Sequence, residues 1–235
     1  MPDLPPIVLV PGLGADAGIY DGQRRFFGDR LHVTQWIDPL SRTETIDSYG
    51  RRLAEQLSDA PGLEPPYWVG GISFGGMVAA EVAEARCEDV LGLLLIGSCT
   101  ERSQVSAPCR LACAAGQYVP RGLAKACLNH LVPQTVGLTE KLPPRGVETM
   151  HDIWFRADTD LMKWAANGIR QWEPGAAQRV PTYRAHGRKD LIIPIRENLM
   201  TPGHDLVVPD GRHLIHLTHE RVINTWMDRR IRRHL

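Results

Sequence analysis

The chain has 235 residues, of which 43% are apolar and 23% charged, with 27 Lys and Arg balanced by 27 Asp and Glu. One α/β domain reaches this size and the apolar share is enough for a real core, while charge neutrality gives no global field to draw nucleic acid or an anionic membrane. The longest apolar runs fall far short of the roughly 20 residues that a membrane span needs.

Ile7–Val10 is an apolar run ending at Pro11-Gly12 and reads as a buried strand. It is too short for a signal sequence, and residues 1–6 carry no basic stretch, so a soluble cytoplasmic protein is expected. A second strand is expected over 33–37. Ile46, Tyr49, Leu53 and Leu57 then follow helical spacing, with Thr45 or Asp47 available near the start. Residues 61–66 are a turn-rich linker, followed by a strand over 67–70, a helix over 74–85 and a continuous apolar strand over 90–96. From about 103 to 179 the pattern changes to helical stretches broken by Pro108, Pro120, Pro133, Pro143-Pro144 and Pro174, without a strand. Alternation resumes with strands over 182–185 and 205–208 and closes with a helix from near Leu214. Strand–helix alternation predicts a parallel α/β sheet, with 1–102 and 180–235 forming the core and 103–179 a helical insert.

The strongest local pattern is Gly71-Ile72-Ser73-Phe74-Gly75, between an expected strand and an expected helix. A tight turn there pushes the serine hydroxyl out at the carboxyl edge of the sheet, and small flanking residues let strand and helix approach. Chance alone gives roughly 0.06 matches to G-x-S-x-G in this composition. The bland alternative is a Gly-rich turn whose serine only caps the helix. A serine needs a base, and the base needs orienting. His186-Gly187-Arg188-Lys189-Asp190 follows one late strand and ends in an acid; Asp210-Gly211-Arg212-His213 follows the next and ends in a histidine.

These segments together resemble the α/β-hydrolase superfamily, in its serine esterase and thioesterase-like members. Val8–Leu13 resembles the first core strand and oxyanion loop, with Pro11 where the family often has His; 71–75 resembles the nucleophile elbow, 186–194 the acid loop and 211–213 the histidine loop. The resemblance implies about six strands and a helical lid, the family's first two strands being missing. It implies Ser73 as nucleophile, His213 as general base, Asp190 as the acid that fixes its tautomer, and backbone N–H groups of Leu13 and Phe74 as the oxyanion hole. The expected substrate is a small-molecule carboxylic ester or acyl thioester, with no metal and no cofactor. Trp154, Phe155, Trp164 and Trp172, with Met150 and Met162, are candidates for an apolar acyl pocket, against the alternative that they form the insert's own core.

Other readings stay open. Glu101 is a rival acid. His213, His216 and His219 invite a metal, although a helix rotates the trio through about 120°. Gly12–Ala17 fits G-x-G-x-x-A with Asp38 further on, a dinucleotide pattern that Asp21-Gly22 and Gly28 interrupt. A relative that keeps the pocket as a ligand receptor without turnover is the remaining class. The five cysteines, at 87, 99, 109, 113 and 127, contain no C-x-x-C pair and read as reduced thiols; Cys109 and Cys113 would share a helix face.

Overall fold

A computed structural model describes residues 4–173 and 179–233; Pro174, expected as a helix break, lies outside them. Six strands form one sheet: β1 (Ile7–Val10), β2 (Leu31–Val33), β3 (Tyr67–Ile72), β4 (Val90–Ile96), β5 (Thr182–Gly187) and β6 (Leu206–Val208). Their order is β2-β1-β3-β4-β5-β6, and every neighbouring pair is parallel. Parallel strands require crossovers that cover both faces, so the central strands read as unbroken apolar runs. The side chains confirm it. Val8, Val69, Leu93 and Leu95 enter the core on one face, while Ile7, Leu9, Leu94 and Ile96 enter it on the other.

Helices α1 (Asp21–Phe27), α2 (Ile46–Ser58) and α3 (Phe74–Ala85) connect the first four strands. The helix α2 starts where its spacing places it, with the Thr45 side chain accepting from Ser48 N at 3.1 Å. Between β4 and β5 come α4 (Ala107–Gly116), α5 (Arg121–Ala126), a π-helical turn Cys127–Leu131, α6 (Val132–Glu140), α7 (Pro144–Arg156) and α8 (Thr159–Gln171). After β6, α9 (Ile215–Thr218) and α10 (Glu220–Arg233) complete the fold.

The strands β3 and β5 each run two residues longer than expected, and two further elements differ more. The second strand runs over Leu31–Val33 and shares only Val33 with the expected 33–37; beyond it the Tyr49 hydroxyl takes both N–H and C=O of Ile37 out of the ladder. The terminal helix is split at His219, whose ring is held by Thr218 Oγ1 and Asp210.

From β1 the chain moves outward to β2, then returns to β3 on the other side of β1. That reversal leaves a crevice at the carboxyl ends of β1 and β3, the position where open α/β sheets receive ligands. Gly12, Leu13 and Ser73 stand there.

Candidate active site

Ser73 sits at the turn from β3 into α3 with φ 53° and ψ −126°. A non-glycine residue in this region costs of order 1–3 kcal/mol and persists only where its surroundings over-determine it. They do so here. The Ser98 hydroxyl donates to Ser73 C=O at 2.6 Å, Gly76 N donates to the same carbonyl at 3.0 Å, and Ser73 N donates to Ile96 O at 3.2 Å. The flanking glycines are required by close approach. A Cβ on Gly71 would lie 2.5 Å from Gly75 C, and one on Gly75 would strike the backbone oxygens of Val10 and Pro11. Below the turn, the buried Tyr20 hydroxyl donates to Val10 O and accepts from Ile72 N, both at 2.8 Å, tying β1 to β3 at the crevice.

The acid and histidine loops close on the same edge. Asp190, only 3% exposed, has its Oδ2 2.8 Å from His213 Nδ1 while its Oδ1 accepts from the N–H groups of Ile192 and Ile193. Burial pushes the Asp190 carboxyl up, but the His213 ring and these N–H donors outweigh it and hold it below the usual range. Burial likewise pulls His213 down, and the Asp190 charge and hydrogen bond outweigh that to raise it above the ordinary imidazole value. Gly187 lets the loops meet, since a Cβ there would collide with Arg212 O.

Ser73 and His213 line one cavity of about 290 Å³ together with Leu13 and Phe74. The N–H of Phe74 opens α3 and has no acceptor within that helix, so it is available to a ligand. The remaining wall is apolar: Met77, Val105, Met150, Trp154 and Met162 contribute, and no Asp, Glu, Lys or Arg does among the described residues.

Of the four aromatic side chains expected at the substrate, Trp154 alone lines this cavity. Phe155, its neighbour, is 58% exposed beside Lys125 and His151. Trp164 is buried behind Phe74 and Tyr49, donating to Glu44 O at 2.9 Å. Trp172 is buried elsewhere, donating to Glu81 Oε1 at 2.7 Å. Helical spacing does not say which ring meets the cavity, and Trp172 lies just past the end of α8.

Glu101, the rival acid, is exposed and accepts from Ser103, away from His213. His216 is fully buried against the Tyr20 ring, and burial with His213 nearby pushes it down to about 3, so it is a neutral packing group. Asp16 caps the turn Ala17–Tyr20 and pairs with Arg156 at 2.7 Å; the Gly12–Ala17 segment opens a short 3-10 turn rather than a phosphate-receiving helix. Among the described residues, no group of three His, Cys, Asp or Glu side chains is placed to hold a metal ion, and no helix is long and apolar enough to cross a membrane.

Two contributors escaped the sequence reading. Ser98 and Tyr20 carry no motif; each acts through a hydrogen bond between segments far apart in the chain. Cys109 and Cys113, whose spacing of four did predict a shared face, both line the cavity.

No curated protein matches the chain in sequence. Among solved structures it is similar to an esterase from Thermogutta terrifontis, solved with malate bound, at TM-score 0.77 and 19% identity, over 98% of this chain and 90% of that one. It is similar to the enol-lactonase of Burkholderia xenovorans LB400 at 0.69 and 16%, over 96% and 90%. Epoxide hydrolases from metagenomes of hot environments follow at 0.64 and 15%, again over 96% and 90%. At such identities the likeness is one of fold. The pattern of the alpha/beta hydrolase family, however, matches residues 7–225, nearly the whole chain, and this chain belongs to that family, as a hydrolase of its type.

Proposed function

We propose that this chain is a serine hydrolase that cleaves a carboxylic ester of a largely apolar small molecule through an acyl-enzyme. The observation that carries this reading is the His213–Asp190 pair at 2.8 Å, opening onto the same apolar cavity as Ser73. With Nδ1 committed to Asp190, the other ring nitrogen of His213 is free to take the Ser73 proton. Ser73 Oγ then bonds to the ester carbonyl carbon, and the developing oxyanion accepts from Phe74 N–H and Leu13 N–H. Collapse breaks the C–O bond, and His213 returns its proton to the leaving alkoxide. Water, activated by His213, then releases the acid and restores Ser73. Each oxyanion donor is worth roughly 3–4 kcal/mol of transition-state stabilisation. The helices between β4 and β5 act as the lid, since Met150, Trp154 and Met162 close the cavity from that side. An Asp nucleophile, the elbow residue the family's epoxide hydrolases use, is excluded by the serine at position 73.

A fluorophosphonate probe tests this directly. Intact mass should rise by one adduct, peptide mapping should place it on Ser73, and Ser73→Ala should abolish both the adduct and ester turnover, the latter by roughly 10⁶-fold. Folded wild-type protein that takes no label would end the hydrolase reading and favour a receptor.

A further inference from the structure

Behind the Ser73 cavity lies a second, of about 420 Å³, between α4, α5, the π-helical turn and α8. Leu13, Cys109, Cys113, Leu128, Val132 and Met162 line both, so the two share one wall. Alone, the first is at the small end of the range for small-molecule sites, and with the second it moves well inside it. Helices α4 and α8 present small residues to the second: Ala112, Gly116 and Ala166. A Cβ at Gly116 would meet nothing within 4 Å. No carboxylate lines either cavity among the described residues, and the one ammonium, Lys163, is held by Val119 O at 2.7 Å.

We infer that this groove holds the distal part of a linear, uncharged acyl chain whose carbonyl sits at Ser73, an assignment that rests on the acyl-enzyme reading above. His213 lines the first cavity only, whereas Leu13, on the oxyanion side, lines both. A leaving group must stay within hydrogen-bond reach of His213 to be protonated. The part of the substrate that runs past Leu13 and away from His213 is therefore the acyl part. The preferred ester then carries a chain longer than the Ser73 cavity alone would hold, with a methyl end rather than a charged one.

Two measurements test the groove. The first compares p-nitrophenyl acetate with p-nitrophenyl octanoate on wild type, Ala112→Phe and Ala166→Phe. Burial of each added methylene raises kcat/KM by at most about fourfold, and wild type should favour octanoate by roughly 30-fold or more. Either phenylalanine should cut the octanoate-to-acetate ratio by about tenfold, a ratio that does not depend on the folded fraction. The second is alkylation by N-ethylmaleimide. Cys109, Cys113 and Cys127 line the groove, and Cys87 does not. Dodecanoate should slow modification of the first three and leave Cys87 unchanged. Labelling of Ser73 by the fluorophosphonate with neither protection nor a changed ratio overturns the groove and leaves the hydrolase intact. Protection without labelling supports the groove and sinks the acyl-enzyme.

Discussion

The sheet with its three loops and the helical segment between β4 and β5 are built on different principles. In the first, β1 and β3 are buried along their whole length, and Ser73, Asp190 and His213 stand where strands end. Their positions follow from parallel pairing and from loops only a few residues long. In the second, α4 and α5 contain no fully buried residue, α7 buries one stripe, and α8 is buried on all sides over 164–169. That segment positions walls rather than reacting atoms. The difference teaches that substitutions at strand ends should change turnover, whereas substitutions on the helices should change which ester is preferred or how tightly the two parts hold together.

The sharpest way to break the comparison is Asp190→Asn. The amide oxygen still accepts from Ile192 and Ile193, so the loop keeps its shape, but the imidazole loses the partner that fixes its tautomer. Turnover should fall by roughly 10⁴-fold with a nearly unchanged melting temperature. A large loss of stability instead would make Asp190 a structural residue. The pH profile carries the same logic. In the proposed mechanism His213 works as a base only when neutral, and Asp190 raises it, so kcat/KM should climb with pH through a midpoint above the ordinary imidazole value of about 6.5. In Asp190→Asn that midpoint should move to lower pH. A midpoint that stays put in the variant would detach the pair from catalysis.

How much of this was legible from residues alone divides along the same line. The helix α3 and the strand β4 run over the spans their apolar patterns mark, and Ser73, Asp190 and His213 fall in the short loops after β3, β5 and β6, because parallel strands bring the loops at their carboxyl ends to one edge. The cavity wall was legible only in part: Met150, Trp154 and Met162 line it, and Phe155, Trp164 and Trp172 do not. Spacing places Trp154, Phe155 and Trp164 on helices, but which face meets the sheet depends on how α7 and α8 dock, a tertiary fact. Consecutive residues diverge accordingly: Trp154 lines the cavity and Phe155 faces solvent. Ser98 was invisible for another reason, since its bond to Ser73 C=O depends on two loops 25 positions apart.

The seam between the two regions is the place to separate docking from chemistry. The Trp164 ring, on α8, has its centroid 4.3 Å from that of Tyr49 on α2 and 5.6 Å from that of Phe74, which lines the cavity. Trp164→Ala removes that contact and leaves Glu44 O without its indole donor, costing about 3–5 kcal/mol and on the order of 10 °C in melting temperature. A smaller effect of defined sign is expected at the second indole. Burial pushes the Glu81 carboxyl up, and the bond from Trp172 only partly offsets it. A carboxyl whose folded value lies above its unfolded one binds its proton more tightly when folded, so its contribution to stability is present in acid and lost as pH rises through the folded value. Glu81→Gln keeps an oxygen for Trp172 and has no proton to lose. Melting curves of the variant and wild type should coincide in acid and separate towards neutral pH, with the variant the more stable. The opposite order would mean that the ionised carboxylate, and not merely an acceptor oxygen, holds α8 to α3.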